Sequence, residues 1–141
     1  MLVRLIYASR AADGTDADTL SGIMKSARGH NAAEGITGVL VFSDGIFLQV
    51  LEGGRDAVSA TYNRIAQDER HRDVVLLGYA EIGERRFAGW AMGQANLSRL
   101  NPGVLLKYSE RAVLDPYGLS GSAALALFEE LVATAVIACP G

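Results

Sequence analysis

One cysteine, two histidines and no run of lysine or arginine set the first limits on this chain of 141 residues. Cys139 has no second thiol with which to close an internal disulfide, so a reducing, cytoplasmic setting is expected. His30, His71 and Cys139 do not stand at metal-ligand spacing, and no zinc site is expected. The net charge is −3 with both signs scattered, which argues against a nucleic-acid partner, since phosphate binding draws on clustered cations. The opening "MLVRLIYASR" lacks a small-residue cleavage site and reads as a strand rather than a signal peptide. The longest apolar tract, "AALALFEELVATAVIAC", is broken by Glu129 and Glu130 and is too short for a bilayer, so no membrane span is expected. A phosphate loop is missing as well. "EGGRD" has a glycine pair but no following lysine, and reads as a turn with Asp56 as helix cap. No serine sits in a nucleophile-elbow context, and neither internal repeats nor low-complexity segments occur.

What is present is patterning. Half of the residues are hydrophobic, enough for the core of one domain. Leu2 to Ala8 alternates, with Val3, Leu5 and Tyr7 on one side and Leu2, Arg4 and Ile6 on the other, the spacing of a strand. After the turn-rich "DGTDAD", Leu20, Ile23, Met24 and Ala27 form the stripe of an amphipathic helix that Gly29 is expected to end. "ITGVLVF" and "IFLQVLE" are strands joined at Asp44-Gly45, a hairpin signal because both residues tolerate positive φ. Val58, Tyr62, Ile65 and Ala66 mark a second helix, "DVVLLGYAEI" a fourth strand, and "WAMGQA" a short fifth after the loop "GERRFAGW". The order βαββαβ(β) is that of a ferredoxin-like α+β fold, one sheet with two helices on one face and the first and third strands adjacent at its centre. Tyr7 and Gln49 then lie on neighbouring strands. Both faces of the third strand are apolar, so the face without helices must be covered too. We expect a first unit over residues 1–97. A C-terminal helical extension over 98–141, with a last helix from about Ala123 to Ala138, would pack on the sheet or at an interface.

Gln49 stands out within "DGIFLQVLEG". A buried amide carries two donors and an acceptor, and each left unpaired costs about 1–3 kcal/mol. Other hydrogen-bonding side chains gather at the same seam: Tyr7 towards the end of the first strand, Asn31 after the first helix, and Arg64, Asp68 and His71 at or after the end of the second. Singly, each has a plain structural reading. Tyr7 would be an amphipathic edge residue, Asn31 a loop residue, the charged trio a solvated helix end, and Trp90 and Met92 core. Together, neutral or paired polar groups among apolar residues suit a planar heterocycle whose rim offers mixed donors and acceptors.

The run "HNAAEGITGVLVFSDGIFLQVLEG" (His30 to Gly53) resembles the core motif of the BLUF domain, the family of blue-light sensors using FAD. "LIYAS", "RIAQDERHRDV" and "RRFAGWAM" match in order and spacing, so the resemblance covers about residues 2 to 97. It implies a ferredoxin-like fold with FAD between the two helices, Tyr7 as the photo-oxidised tyrosine and Gln49 as the switching amide. Asn31 would bind the pyrimidine edge of the flavin, Ile23 and Met24 would pack on the ring, and Arg64, Asp68 and His71 would surround the ring and ribityl side. Trp90 and Met92 would compete for the place next to Gln49 and carry the signal onward. The chain would be a sensor and not an enzyme, signalling to a separate protein partner or through a change of assembly, with a homo-oligomer expected. Two alternatives stand beside this reading. One is a small ferredoxin-like enzyme of the acyl-phosphate hydrolase type using Arg55; the other is a colourless interaction module.

Overall fold

Strand alternation and helical stripes build the expected order of elements in a computed structural model that describes residues 1–95, 97, 101–134 and 137–138. β1 (Leu2–Ala11), α1 (Ala17–Glu34), β2 (Thr37–Ser43), β3 (Ile46–Gly54), α2 (Arg55–Gln67), β4 (His71–Ile82) and β5 (Gly93–Ala95) follow one another. Beyond them come α3 (Pro102–Leu106), a 3-10 turn at Pro116–Gly118, α4 (Gly121–Ala133) and β6 (Ile137–Ala138). Cys139 and the expected junction at residues 98–100 lie outside the described residues. The sheet order is β4-β1-β3-β2-β5-β6. β1 is antiparallel to both β3 and β4, and β5 runs parallel to β2. The β2–β3 turn has Asp44 at φ 51° and Gly45 at φ 76°, the pair of left-handed residues that a two-residue hairpin requires.

Several boundaries differ from the sequence reading. β1 continues past Ala8 to Ala11. α1 passes through Gly29 and ends at Gly35, whose φ of 68° and N–H bond to the Asn31 carbonyl close the helix. A glycine inside a helix costs about 1 kcal/mol relative to alanine, too little to stop a helix whose buried side continues from Ile23 and Met24 to Asn31. Asn31 therefore sits on the helix, not after it. Asp56 does not cap α2: Gly54 is the cap residue and Asp56 lies in the first turn, where its charge suits the helix dipole. Val58 and Thr61 form the buried side of α2, while Ala66 is exposed. α4 stops at Ala133 rather than Ala138, and Ala95 and Gln94 pair with Ile137 and Ala138. Thr134 closes the helix there, its N–H and its hydroxyl both donating to the Glu130 carbonyl.

Two cores flank the sheet. On the helical face Val3, Leu5 and Tyr7 of β1 and Phe47 and Leu51 of β3 pack with Ile23 and Met24 of α1 and Val58 of α2. On the far face Ile6, Val39, Val41, Leu48 and Val50 pack with Ala124, Leu127, Phe128 and Leu131 of α4. Burying a Leu or Phe side chain stabilises by about 1.5–3 kcal/mol, so α4 is held to the sheet chiefly by its apolar stripe. It approaches β4 closely at Gly121, where an added Cβ would meet the Leu77 carbonyl oxygen at 2.6 Å. Among the described residues no helix is long and apolar enough to cross a membrane.

Candidate functional site

β1 and β3 set Tyr7 and Gln49 directly opposite each other. Both side chains point to the helical face, where they line a cleft between α1 and α2. The Tyr7 hydroxyl donates to Gln49 Oε1, and Gln49 Nε2 donates to Met92 Sδ at 3.2 Å. All three side chains are buried. Burial, and secondarily the neighbouring Tyr62, pushes the Tyr7 phenol far above its usual pKa, so its proton stays on the oxygen at any physiological pH. The bond to Met92 is a weak one, because a thioether is a poor acceptor. Each amide has two N–H donors, and Met92 occupies one of those of Gln49, leaving the second for a group in the cleft.

The walls come from both helices and the start of β4. Asn31, fixed by the last turns of α1, donates from Nδ2 to the Ala91 carbonyl at 2.9 Å and thereby ties that helix to the segment just before Met92. His30 joins the helices to each other: its Nδ1 takes a bond from Arg64 at 2.9 Å and its Nε2 meets Thr61 Oγ1 at 3.0 Å. A guanidinium can only donate, so Nδ1 is the acceptor and the ring proton lies on Nε2. Asp68 holds Arg70 through both carboxylate oxygens, at 2.6 to 3.1 Å, and these bonds lower the Asp68 pKa to about 2. His71 meets Ser9 Oγ at 2.8 Å, and its ring lies 4.8 Å from that of Phe47. Burial lowers its pKa against a partial counter-effect of Asp68, so the ring is neutral near pH 7.

The structure gathers Tyr7, Ile23, Asn31, Gln49, Arg64, Asp68 and His71 around one cleft that opens to solvent. Ligand sites combine apolar walls with a few polar groups. Two expected residues fall elsewhere. Met24 is buried in the core but borders a separate groove with Leu20, Ser21 and Arg28. Trp90 packs against the far-face core, and Met92 is the one of the two that meets Gln49 here. The strand expected over "WAMGQA" would put both on one face; β5 begins only at Gly93, and alternation does not extend back to residue 90. Arg70 and Thr61 also line the cleft and were not singled out from the sequence. Arg70 lies between Asp68 and His71 and could have been found from that position. Arg55 is elsewhere, bonded to Glu81 at 2.7 Å.

The cleft fits a flavin by the chemistry of its donors. Gln49 offers an N–H on an apolar floor, Asn31 Oδ1 would complement an N–H on a heterocycle's edge, and arginines stand at the rim for carbonyl or phosphate oxygens.

Comparison with known proteins points the same way. The family model described as sensors of blue-light using FAD matches residues 2–93. Photoactivated adenylate cyclase subunit beta of Euglena longa is 42% identical over 95 residues, 67% of this chain and 11% of that protein. This chain thus spans about a tenth of the length of the curated relatives it matches. Among solved structures, the photo-activated state of BlsA superposes with a TM-score of 0.83 at 31% identity, covering 94% of this chain and 95% of that one. Klebsiella pneumoniae BlrP1 with FMN and cyclic diGMP gives 0.67 at 36% identity, covering 76% and 29%.

Proposed function

The chain belongs to the BLUF family of blue-light flavin sensors, and from that premise we propose that the α1–α2 cleft holds FAD and that Tyr7, Gln49 and Met92 are the moving parts of its light switch. The observation that carries this is the continuous relay Tyr7 Oη, Gln49 amide, Met92 Sδ along the cleft floor.

When bound, the flavin supplies absorption of blue light and an excited state that is a strong oxidant. Asn31, Arg64, Asp68, Arg70 and His71 would hold its polar rim, and Ile23 would pack against its ring. The raised Tyr7 phenol does not ionise in the dark, so its proton leaves only together with an electron, and Gln49 Oε1 is positioned to receive it. Rotation of the amide would exchange Oε1 and Nε2; a proton gained at Oε1 with another released from Nε2 towards the cleft would give the imidic form. Either change alters the bonds to Tyr7 and Met92 together. Return of both the electron and the proton to Tyr7 would close the cycle, and nothing is consumed.

On this reading residues 1–97 are the sensing unit, the helical extension over 98–141 is its output face, and the module has no turnover of its own. A relative named as a photoactivated adenylate cyclase subunit and a neighbour solved with FMN and cyclic diGMP support an output protein as the recipient of the signal, proposed here to be a separate one in the cytoplasm, with self-association as a second route. The test is purification in the dark, identification of the bound flavin by mass spectrometry, and a light-minus-dark spectrum. FAD and a small reversible red shift are expected. A protein that cannot be loaded with any flavin would overturn the proposal, and FMN as the bound species would overturn the choice of FAD.

A further inference from the structure

Glu52 is fully buried, three residues along β3 from Gln49 and on the opposite face. A buried carboxylate is costly unless charge and hydrogen bonds answer it, and here both do. Arg4, its direct cross-strand partner on β1, donates from Nε at 2.9 Å and is itself 92% buried, being 8% exposed. The remaining bonds come from main chain. The Phe87 N–H donates to Oε1 at 2.7 Å, and the Arg86 N–H reaches both oxygens at 3.0 and 3.2 Å. The 83–92 segment therefore has one end fixed on Glu52 and the other at Met92, against Gln49. The same stretch touches α4 twice, through the Phe87 and Phe128 rings at 6.1 Å and through an ion pair between Arg86 and Glu129.

We infer that Glu52 is a positioning residue of the light switch: by clamping the main chain at residues 86 and 87, it sets where Met92 stands against Gln49 and delivers displacement of Met92 to α4. The inference rests on the proposed roles of Tyr7, Gln49 and Met92. A side chain with both oxygens occupied by neighbouring amides is a fixed post. When Gln49 changes its bond to Met92, the segment between them is displaced relative to that post, and the contacts next to it are those with α4.

The test uses the full chain loaded with flavin. Glu52→Gln replaces one acceptor oxygen with a donor, which opposes the amides of Arg86 and Phe87. The variant should bind flavin and form the red-shifted state, but its dark recovery should change at least tenfold. Leu131→Ala, which empties a buried position on α4 and leaves every bond to Glu52 intact, should recover within about twofold of wild type at comparable thermal destabilisation. Recovery of Glu52→Gln at the wild-type rate would overturn the inference, as would an equal change in both variants. Should Glu52→Gln fail to fold, the double variant Arg4→Met/Glu52→Gln removes the counter-charge as well and is read in the same way. Amide exchange on the wild-type protein needs no variant: the Arg86 and Phe87 amides should stay protected in dark and light while residues 88–92 lose protection on illumination. Exposed-loop exchange at Arg86 and Phe87 in the dark would overturn the clamp. Wild-type protein with no red shift at all would instead overturn the proposed function on which the clamp depends.

Discussion

Asn31 and Ala91 are joined by a single hydrogen bond of 2.9 Å that ties the C-terminal turns of α1 to the residue preceding Met92. The helix wall of the cleft and the acceptor of the Gln49 amide are thus fixed to each other. Asn31→Ala breaks that tie. A lost hydrogen bond of this kind costs about 0.5–1.5 kcal/mol, so a modest fall in the denaturation midpoint is expected, together with faster dark recovery because Met92 is less restrained. Unchanged recovery in a folded, flavin-loaded variant would separate Asn31 from the switch.

Removing the phenol tests the other end of the relay. Tyr7→Phe keeps the ring in the core and should retain flavin while losing the red shift. Gln49→Leu should do the same, with an altered dark spectrum from the missing amide. A normal photocycle in either variant, read by absorption, would contradict the roles assigned to that pair.

Met92→Leu conserves volume and should cost less than about 1.5 kcal/mol, yet it deletes the sulfur that accepts from Gln49 Nε2. The red shift should still form, since Tyr7 and Gln49 are intact, while recovery changes and light no longer alters amide exchange in α4. Trp90→Phe, on the far-face core, should leave recovery close to wild type.

Acid should weaken the fold in two steps. His71 has a lowered pKa in the folded state, so the unfolded chain takes up a proton first, below about 6.5. Stability from this group is complete above that value and is lost as pH falls towards the folded pKa. Asp68 is lowered from 3.8 to about 2, so its contribution is present above 3.8 and disappears as pH falls to about 2. Chemical denaturation between pH 8 and pH 5 should show the first step, and His71→Gln should flatten it without touching the second.

Gly121 tests whether α4 seats on the sheet of its own chain. An added Cβ would press on the Leu77 carbonyl at 2.6 Å and the Gly78 Cα at 3.2 Å, both backbone. Gly121→Ala should therefore cost about 1–3 kcal/mol, the range for overpacking, measured by denaturant titration.

Parity made the centre of the molecule readable. Tyr7 shares a side with Val3 and Leu5, Gln49 with Phe47 and Leu51, and a period of two leaves little freedom in how such strands face each other. The hairpin was readable because Asp-Gly has few other uses between two apolar runs. Harder positions were those decided by distant packing. The end of α1 turned on a buried Asn31 and not on the first glycine. The separation of Trp90 from Met92 depended on where alternation begins in a segment of irregular backbone. Arg4 and Glu52 stood on core-facing positions of two strands expected to be adjacent, so their pairing was within reach, but the amides of Arg86 and Phe87 that complete it have no sequence signature.

The sheet has consequences as a partition. Its thickness puts the dye cleft and α4 on opposite sides of a single layer of backbone, and alternation gives each side chain a view of one side alone. On the proposed reading, news of a photon would travel around the rim of this wall, by the stretch of chain that turns from one side to the other. Cargo fused or docked onto α4 would then stand clear of the pigment's mouth, so a designer could exchange outputs there without disturbing how the colour is loaded.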